Sequence, residues 1–174
     1  MSAAIAESIT GLSRWQRIEE ARRYIRTFQL SAPVNVGAIA TDLGLRVWEL
    51  SDMLENISGK LFPDPRHGGN AGYSIVVNGR EAFVRKRFTV AHEIAHFLLH
   101  RDRIKAGIVE DTFYRGGLSI QEEVEANKLA ADILMPYHLI RQLSEQGVRE
   151  IKELAKRFQV SKAAMKIRLN IPVT

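Results

Sequence analysis

Residues 88–100, FTVAHEIAHFLLH, decide how the rest of the chain is read. Phe88, Val90, Ala91, Ile94, Ala95, Phe97, Leu98 and Leu99 leave almost no polar face, which predicts a helix buried on nearly all sides. Into that apolar helix the chain places His92, Glu93 and His96, and polar groups without partners are costly in such surroundings. An α-helix advances about 100° and about 1.5 Å per residue. His92 and His96 are therefore about 40° apart around the axis and about 6 Å apart along it, so both imidazoles reach one ion. Glu93 is turned about 100° from His92, which suits it poorly as a third ligand. It is well set to contact a water held on the metal and take its proton. The bland alternative for the stretch alone is a helix with hydrogen-bonded core histidines. His100 lies about 12 Å along the helix from His92, too far to share its ion. Phe97 stands where a His96–His100 pair would need a glutamate, so His100 reads as a cap or as a partner behind the ligands.

The segment after His96, FLLHRD, lacks the glycine and later histidine of the metzincin pattern, so a third ligand must come from elsewhere. The acid-rich stretch SIQEEVEANKLAADILMP (119–136) is the place to look. On a helical wheel its apolar arc is broad and includes Ile120 and Val124, while Gln121, Glu125, Lys128 and Asp132 gather on the solvent side. Glu123 falls inside the arc, between Ala130 and Leu134, and Glu122 falls near its far edge. A carboxylate on a buried face needs a partner, and a metal is one. Glu123 is the expected ligand, with Glu122 and Glu125 as alternates. Asn127, on the same stripe, is placed either to orient a ligand from behind or to bond a neighbouring loop. Two histidines and a glutamate leave one position for water, the arrangement of a catalytic zinc site, with manganese as the alternative ion. Tyr114, His138 and Arg115 are the candidate donors to a developing oxyanion.

Elsewhere the chain reads as an ordinary folded protein. It has 174 residues, 45% hydrophobic and 26% charged, enough for one domain with a real core and a small appendage. There is no cysteine, which excludes disulfides and zinc–thiolate sites. MSAAIAESIT has neither a basic start nor an apolar core of a secretory signal, and no apolar run approaches the ~18 residues of a membrane span. A cytoplasmic protein without a membrane partner is expected. Helical spacing from Ser13 to about Phe28, with Ser13 and Gln16 as a capping box, precedes a short helix after Asn35 that Gly44 closes. LRVWEL (45–50), ISGKLF (57–62) and GYSIVVN (72–78) read as strands. Asn78 and Glu81 are then expected to start the histidine-bearing helix, which runs to about Arg101. The last third is helical. Helices, a small three-stranded sheet, then helices is an α+β layout, divided into a larger α+β unit at 1–140 and a helical unit at 141–174.

The net charge of +5 is concentrated at the end. Val148 to Thr174 holds seven basic and two acidic residues, and the rest of the chain balances. EIKELAKRFQVSKAAMKIRLN (150–170) has the shape of a helix-turn-helix, with Ser161 capping a second helix that offers Lys162, Lys166 and Arg168 outward. Such residues are available to DNA or to a protein partner. The helical-buttress or partner-docking role is favoured, because a single copy would bind DNA weakly and with little specificity.

Taken in order, these segments resemble the ImmA/IrrE family of metallopeptidases. PVNVGAIATDLGLRV (33–47) resembles the family's helix and first strand. YSIVVN followed by RKRFTVAHEIAHFLLH (85–100) resembles its strand and active-site helix, and EVEANKLAADILMP (123–136) its ligand helix. LAKRFQVSKAAMKIRL (154–169) resembles its C-terminal helix-turn-helix-like element, and coverage runs from about residue 15 to 172. The resemblance implies a zincin-like domain with a gluzincin-like His-Glu-x-x-His…Glu site. It implies a cytoplasmic zinc endopeptidase that cleaves or inactivates a helix-turn-helix repressor of a stress response, mobile element or toxin–antitoxin system. By position, His92, His96 and Glu123 match the metal ligands and Glu93 the catalytic glutamate. The alternative is a metal-containing partner without catalysis in such a repressor or toxin–antitoxin complex. Ala95 stands where many relatives have glycine, a departure small enough to keep a close approach.

Overall fold

Three extended segments pair into one sheet, and their order places one strand edge beside the histidine helix. The computed structural model describes residues 9, 11–54, 56–105 and 119–173. Helix α1 (Arg14–Arg26) starts on the expected Ser13–Gln16 capping box. Helix α2 (Val36–Asp42) is capped by the Asn35 side chain, which accepts from Ala38 N at 3.0 Å. Gly44 then turns the chain into β1 (Leu45–Leu50) at φ +72°, where a Cβ would lie 2.8 Å from Ala71 N. Strands β2 (Gly59–Pro63) and β3 (Tyr73–Asn78) follow.

The sheet order is β1-β3-β2. β3 runs parallel to β1, with Leu45 opposite Tyr73, and antiparallel to β2, with Gly59 opposite Val77. The central strand is the most apolar of the three, as its double-sided pairing requires, and Ile75 is fully buried. β2 is an edge strand and packs against helix α3 (Phe83–Lys105). That contact depends on Gly59. A Cβ there would collide with Thr89 Cγ2 of α3 and lie 2.7 Å from Val76 O.

Helix α3 begins later than its caps suggested. Asn78 instead closes the end of β3: its N–H donates to Ser58 O at 2.9 Å and its Oδ1 accepts from Arg80 N at 3.1 Å. Glu81 accepts from Ser58 Oγ at 2.7 Å, so both side chains are spent on the turn. At the other end α3 continues past Arg101, with non-helical backbone at His100 (φ −128°, ψ 15°).

Helix α4 (Ile120–Leu134) packs along α3. Ala91 and Ala95 of α3 and Ala126 and Ala130 of α4 are all fully buried, and such small side chains let two helices approach closely. The buried stripe of α4 is Ala126, Leu129, Ala130, Ile133 and Leu134. Ile120 and Val124, which the wheel placed in the apolar arc, are 86% and 44% exposed. Glu125, assigned to the solvent side, is covered instead, its side chain only 11% exposed. A wheel ranks residues by their own polarity, whereas here the orientation is set by what α1 and α3 bring to the contact.

Helices α5 (Tyr137–Glu145), α6 (Ile151–Phe158) and α7 (Lys162–Arg168) complete the described chain. Gln159 makes the α6–α7 turn in the left-handed region, φ 53°. Leu154, Phe158 and Met165 of this pair join the cluster that holds Ile75, Ile94 and Ile133. Arg168 ties α7 to the end of α4, donating to Met135 O at 2.8 Å and pairing with Asp132 at 2.7 Å. The architecture is thus α+β with a three-stranded sheet, as expected.

The β2–α3 contact sets a clear expectation. Gly59→Ala should lose roughly 1–3 kcal/mol in urea unfolding, the usual penalty for forcing atoms into a packed contact. Adding Thr89→Ser should recover part of that loss, because one of the two clashing atoms is then gone.

Candidate metal centre

Helices α3 and α4 bring His92, His96 and Glu123 together, each offering one ligand atom within 4.8 Å of the others. His92 Nε2 and His96 Nε2 are 2.9 Å apart. The Glu123 carboxylate lies 3.5 Å from the first and 3.3 Å from the second. An ion holding nitrogen and oxygen donors tetrahedrally at about 2.0–2.1 Å needs them about 3.3 Å from one another. The observed triangle has that size, and nitrogen with carboxylate oxygen is a donor set that suits zinc.

The ring nitrogens behind the triangle are also accounted for. His92 Nδ1 donates to Asn127 Oδ1 at 3.1 Å, which turns Nε2 toward Glu123. His96 Nδ1 lies 3.1 Å from His100 Nδ1, and His100 Nε2 lies 3.4 Å from Glu125 Oε2. Glu125 in turn pairs with Arg14 of α1.

Electrostatics follow from this crowding. Hydrogen bonds from His92 and His96 hold the Glu123 carboxyl far below the ordinary carboxylate range. Burial works to lower the His92 imidazole, but the bond to Glu123 and the fields of Glu93 and Glu123 outweigh it and leave His92 raised. Burial pushes the Glu93 carboxyl up, and the neighbouring histidines oppose this only in part. Glu93 is 9% exposed and lies beside the Leu61 backbone N–H of β2, which favours its charged form slightly. A buried carboxylate with a raised proton affinity, one turn-step from the ligands, has the properties of a general base.

The other sequence candidates fall in different places. Glu122 caps α4, accepting from Ser119 N at 2.7 Å, and faces Arg103 at 3.8 Å. His138 Nε2 donates to Gln29 O at 3.0 Å. Tyr114 and Arg115 lie outside the described residues. Lys162 is exposed, Lys166 half-buried, and Arg168 is turned to Asp132 and Met135 with its guanidinium over the Tyr137 ring. The approach of Leu61 to Glu93 had no signal in the sequence, because it depends on which edge of β2 faces α3.

Comparison with known proteins agrees with the geometry. The family model of the IrrE N-terminal-like domain, a peptidase family, matches residues 40–170. The chain belongs to this family. Two similar proteins are the radiation response metalloproteases IrrE of Deinococcus radiodurans and Deinococcus deserti, each 36% identical over 101 residues. The match covers 56% of this chain in both cases and 29% and 34% of the relatives, so the chain spans about a third of their length. Among solved structures, a Mycobacterium tuberculosis transcriptional regulator shares the fold, with TM-score 0.59 and 17% identity over 90% of this chain and 47% of that one. All four residues of the His92–Glu93–His96 and Glu123 constellation fall within the stretch matched by the family model.

Purified protein supplied with zinc should bind about one ion per chain, as a three-donor catalytic site does. His92→Ala, His96→Ala and Glu123→Ala should each abolish that ion in elemental analysis. Glu122→Gln should retain it, because Glu122 is occupied at the helix start.

Proposed function

We propose that the chain is a zinc-dependent endopeptidase that acts in the cytoplasm on a helix-turn-helix repressor. The observation that carries the reading is the pairing of the three-donor triangle with Glu93, a buried carboxylate next to His92 on the same helix. His92, His96 and Glu123 would hold the ion. Bound there, zinc supplies a water acidified toward neutral pH and a Lewis acid for a carbonyl oxygen. Glu93 would take the proton and return it to the leaving amine, and burial works to raise its proton affinity. Asn127 keeps the His92 ring oriented.

The edge of β2 supports a peptide substrate over a small molecule. Asn78 N donates to Ser58 O, and Asp64 N donates to Gly72 O. In an antiparallel ladder the bonded positions alternate, so Ser58, Lys60, Phe62 and Asp64 face β3 and Gly59, Leu61 and Pro63 face away. Leu61 stands in the middle of that outward row, beside Glu93, so an extended chain that approached this edge would bring its peptide bonds to the ion site.

The repressor as substrate is supported by kinship and charge. The similar IrrE proteins are radiation response metalloproteases, and the structural neighbour is a transcriptional regulator. The helix-turn-helix-like pair α6–α7 carries Lys162 and Lys166 on a body whose remaining charge balances. Arg168 is spent on Asp132 and Met135, which suits a buttress that docks a protein partner better than a DNA-reading helix. Among the described residues no helix is long and apolar enough to cross a membrane.

Glu93→Gln should keep zinc and fold while lowering cleavage of a helix-turn-helix repressor substrate by about 10²–10⁴, the usual worth of a general base. Undiminished cleavage would overturn the assignment. The double variant Lys162→Ala with Lys166→Ala should raise KM for the folded repressor and leave hydrolysis of a short unstructured peptide unchanged.

A further inference from the structure

His100 sits beyond the reach of the ion, yet it is 5% exposed and its ring is committed at both nitrogens. The direction of those hydrogen bonds follows from one requirement. His96 turns Nε2 toward His92 and Glu123, so to hold a cation there it must keep that lone pair and carry its proton on Nδ1. His96 Nδ1 faces His100 Nδ1 at 3.1 Å, and two ring nitrogens in contact share one proton. His96 therefore donates and His100 accepts. His100 then carries its own proton on Nε2, which faces the Glu125 carboxylate at 3.4 Å. Glu125, 11% exposed, is paired with Arg14. The helix leaves regular geometry at His100 itself. Each link in the row from His96 to Arg14 has one proton and one acceptor.

We propose that His100 is a positioning residue for the metal ligand His96: with Glu125 and Arg14 it holds the ring in the tautomer that offers Nε2 to the ion. The proposal rests on the metal-site reading given above. It makes the two histidine ligands equivalent in support, Asn127 behind His92 and the His100–Glu125 row behind His96. The competing role is that of a buried side chain that merely fills the kink in α3.

Zinc affinity of protein stripped of metal, measured by competition with a chromophoric chelator, separates the two roles. His100→Leu should weaken zinc binding roughly 10- to 100-fold, the usual effect of removing a group behind a histidine ligand. His100→Asn should recover most of that loss, because its amide oxygen occupies the position of Nδ1 and accepts from His96. Glu125→Gln, at the far end of the row, should weaken zinc by about threefold to tenfold and provides a readout if His100→Leu does not fold. Urea unfolding of the metal-free proteins runs alongside. A pure packing role predicts that His100→Leu and His100→Asn lose metal-free stability together while zinc affinity stays within about twofold of wild type. That result, or His100→Asn binding zinc no better than His100→Leu, overturns the proposal. Wild type that takes up no zinc at all overturns the metal site itself, which is a different failure.

Discussion

The structure depends on the close packing of α3 against α4. Two imidazoles and two carboxylates are drawn into contact where most neighbouring side chains are aliphatic or aromatic. That arrangement is tolerable only if every polar atom finds a partner, because each one left alone costs on the order of 1–3 kcal/mol. The alanines 91, 95, 126 and 130 allow the approach. Asn127, His100 and Glu125 answer the ring nitrogens that face away from the triangle. What remains is a set of three ligand atoms, from His92, His96 and Glu123, converging on one point.

The proposed function rests on a sheet edge packed beside that point. Gly59 has no side chain because β2 must lie on Thr89 of α3. The same contact brings the Leu61 backbone N–H beside Glu93. Support for the fold and support for the chemistry are therefore one contact, and damage to Gly59 would be felt by both. The C-terminal helices are part of the same body: Phe158 and Met165 are in its core, and Arg168 anchors them to Asp132 of α4.

Much of this was legible in the chain. His92, Glu93 and His96 could be placed by helical arithmetic, since all three lie within one turn and a half of one helix. Glu123 and Asn127 could be chosen because a carboxylate and an amide stood on a stripe of alanines and leucines. Ser13 and Gln16 form the capping box their spacing promised. The failures involve contacts between distant segments. Asn78 and Glu81 have the spacing of a helix cap, but Ser58 and Arg80 claim them first. Ile120 and Val124 looked inward and are exposed. Glu125 looked outward, and Arg14 and His100 cover it. The central position of β3, and with it the free edge of β2, had no local signature at all.

The most direct test of the metal site is anomalous X-ray scattering from crystals of the zinc-loaded protein, collected on both sides of the zinc edge. A single strong peak is expected within about 2.0–2.2 Å of His92 Nε2, His96 Nε2 and a Glu123 oxygen, with Glu93 near but not bound. A zinc peak held by other residues, or none at this triangle at full zinc loading, would contradict it.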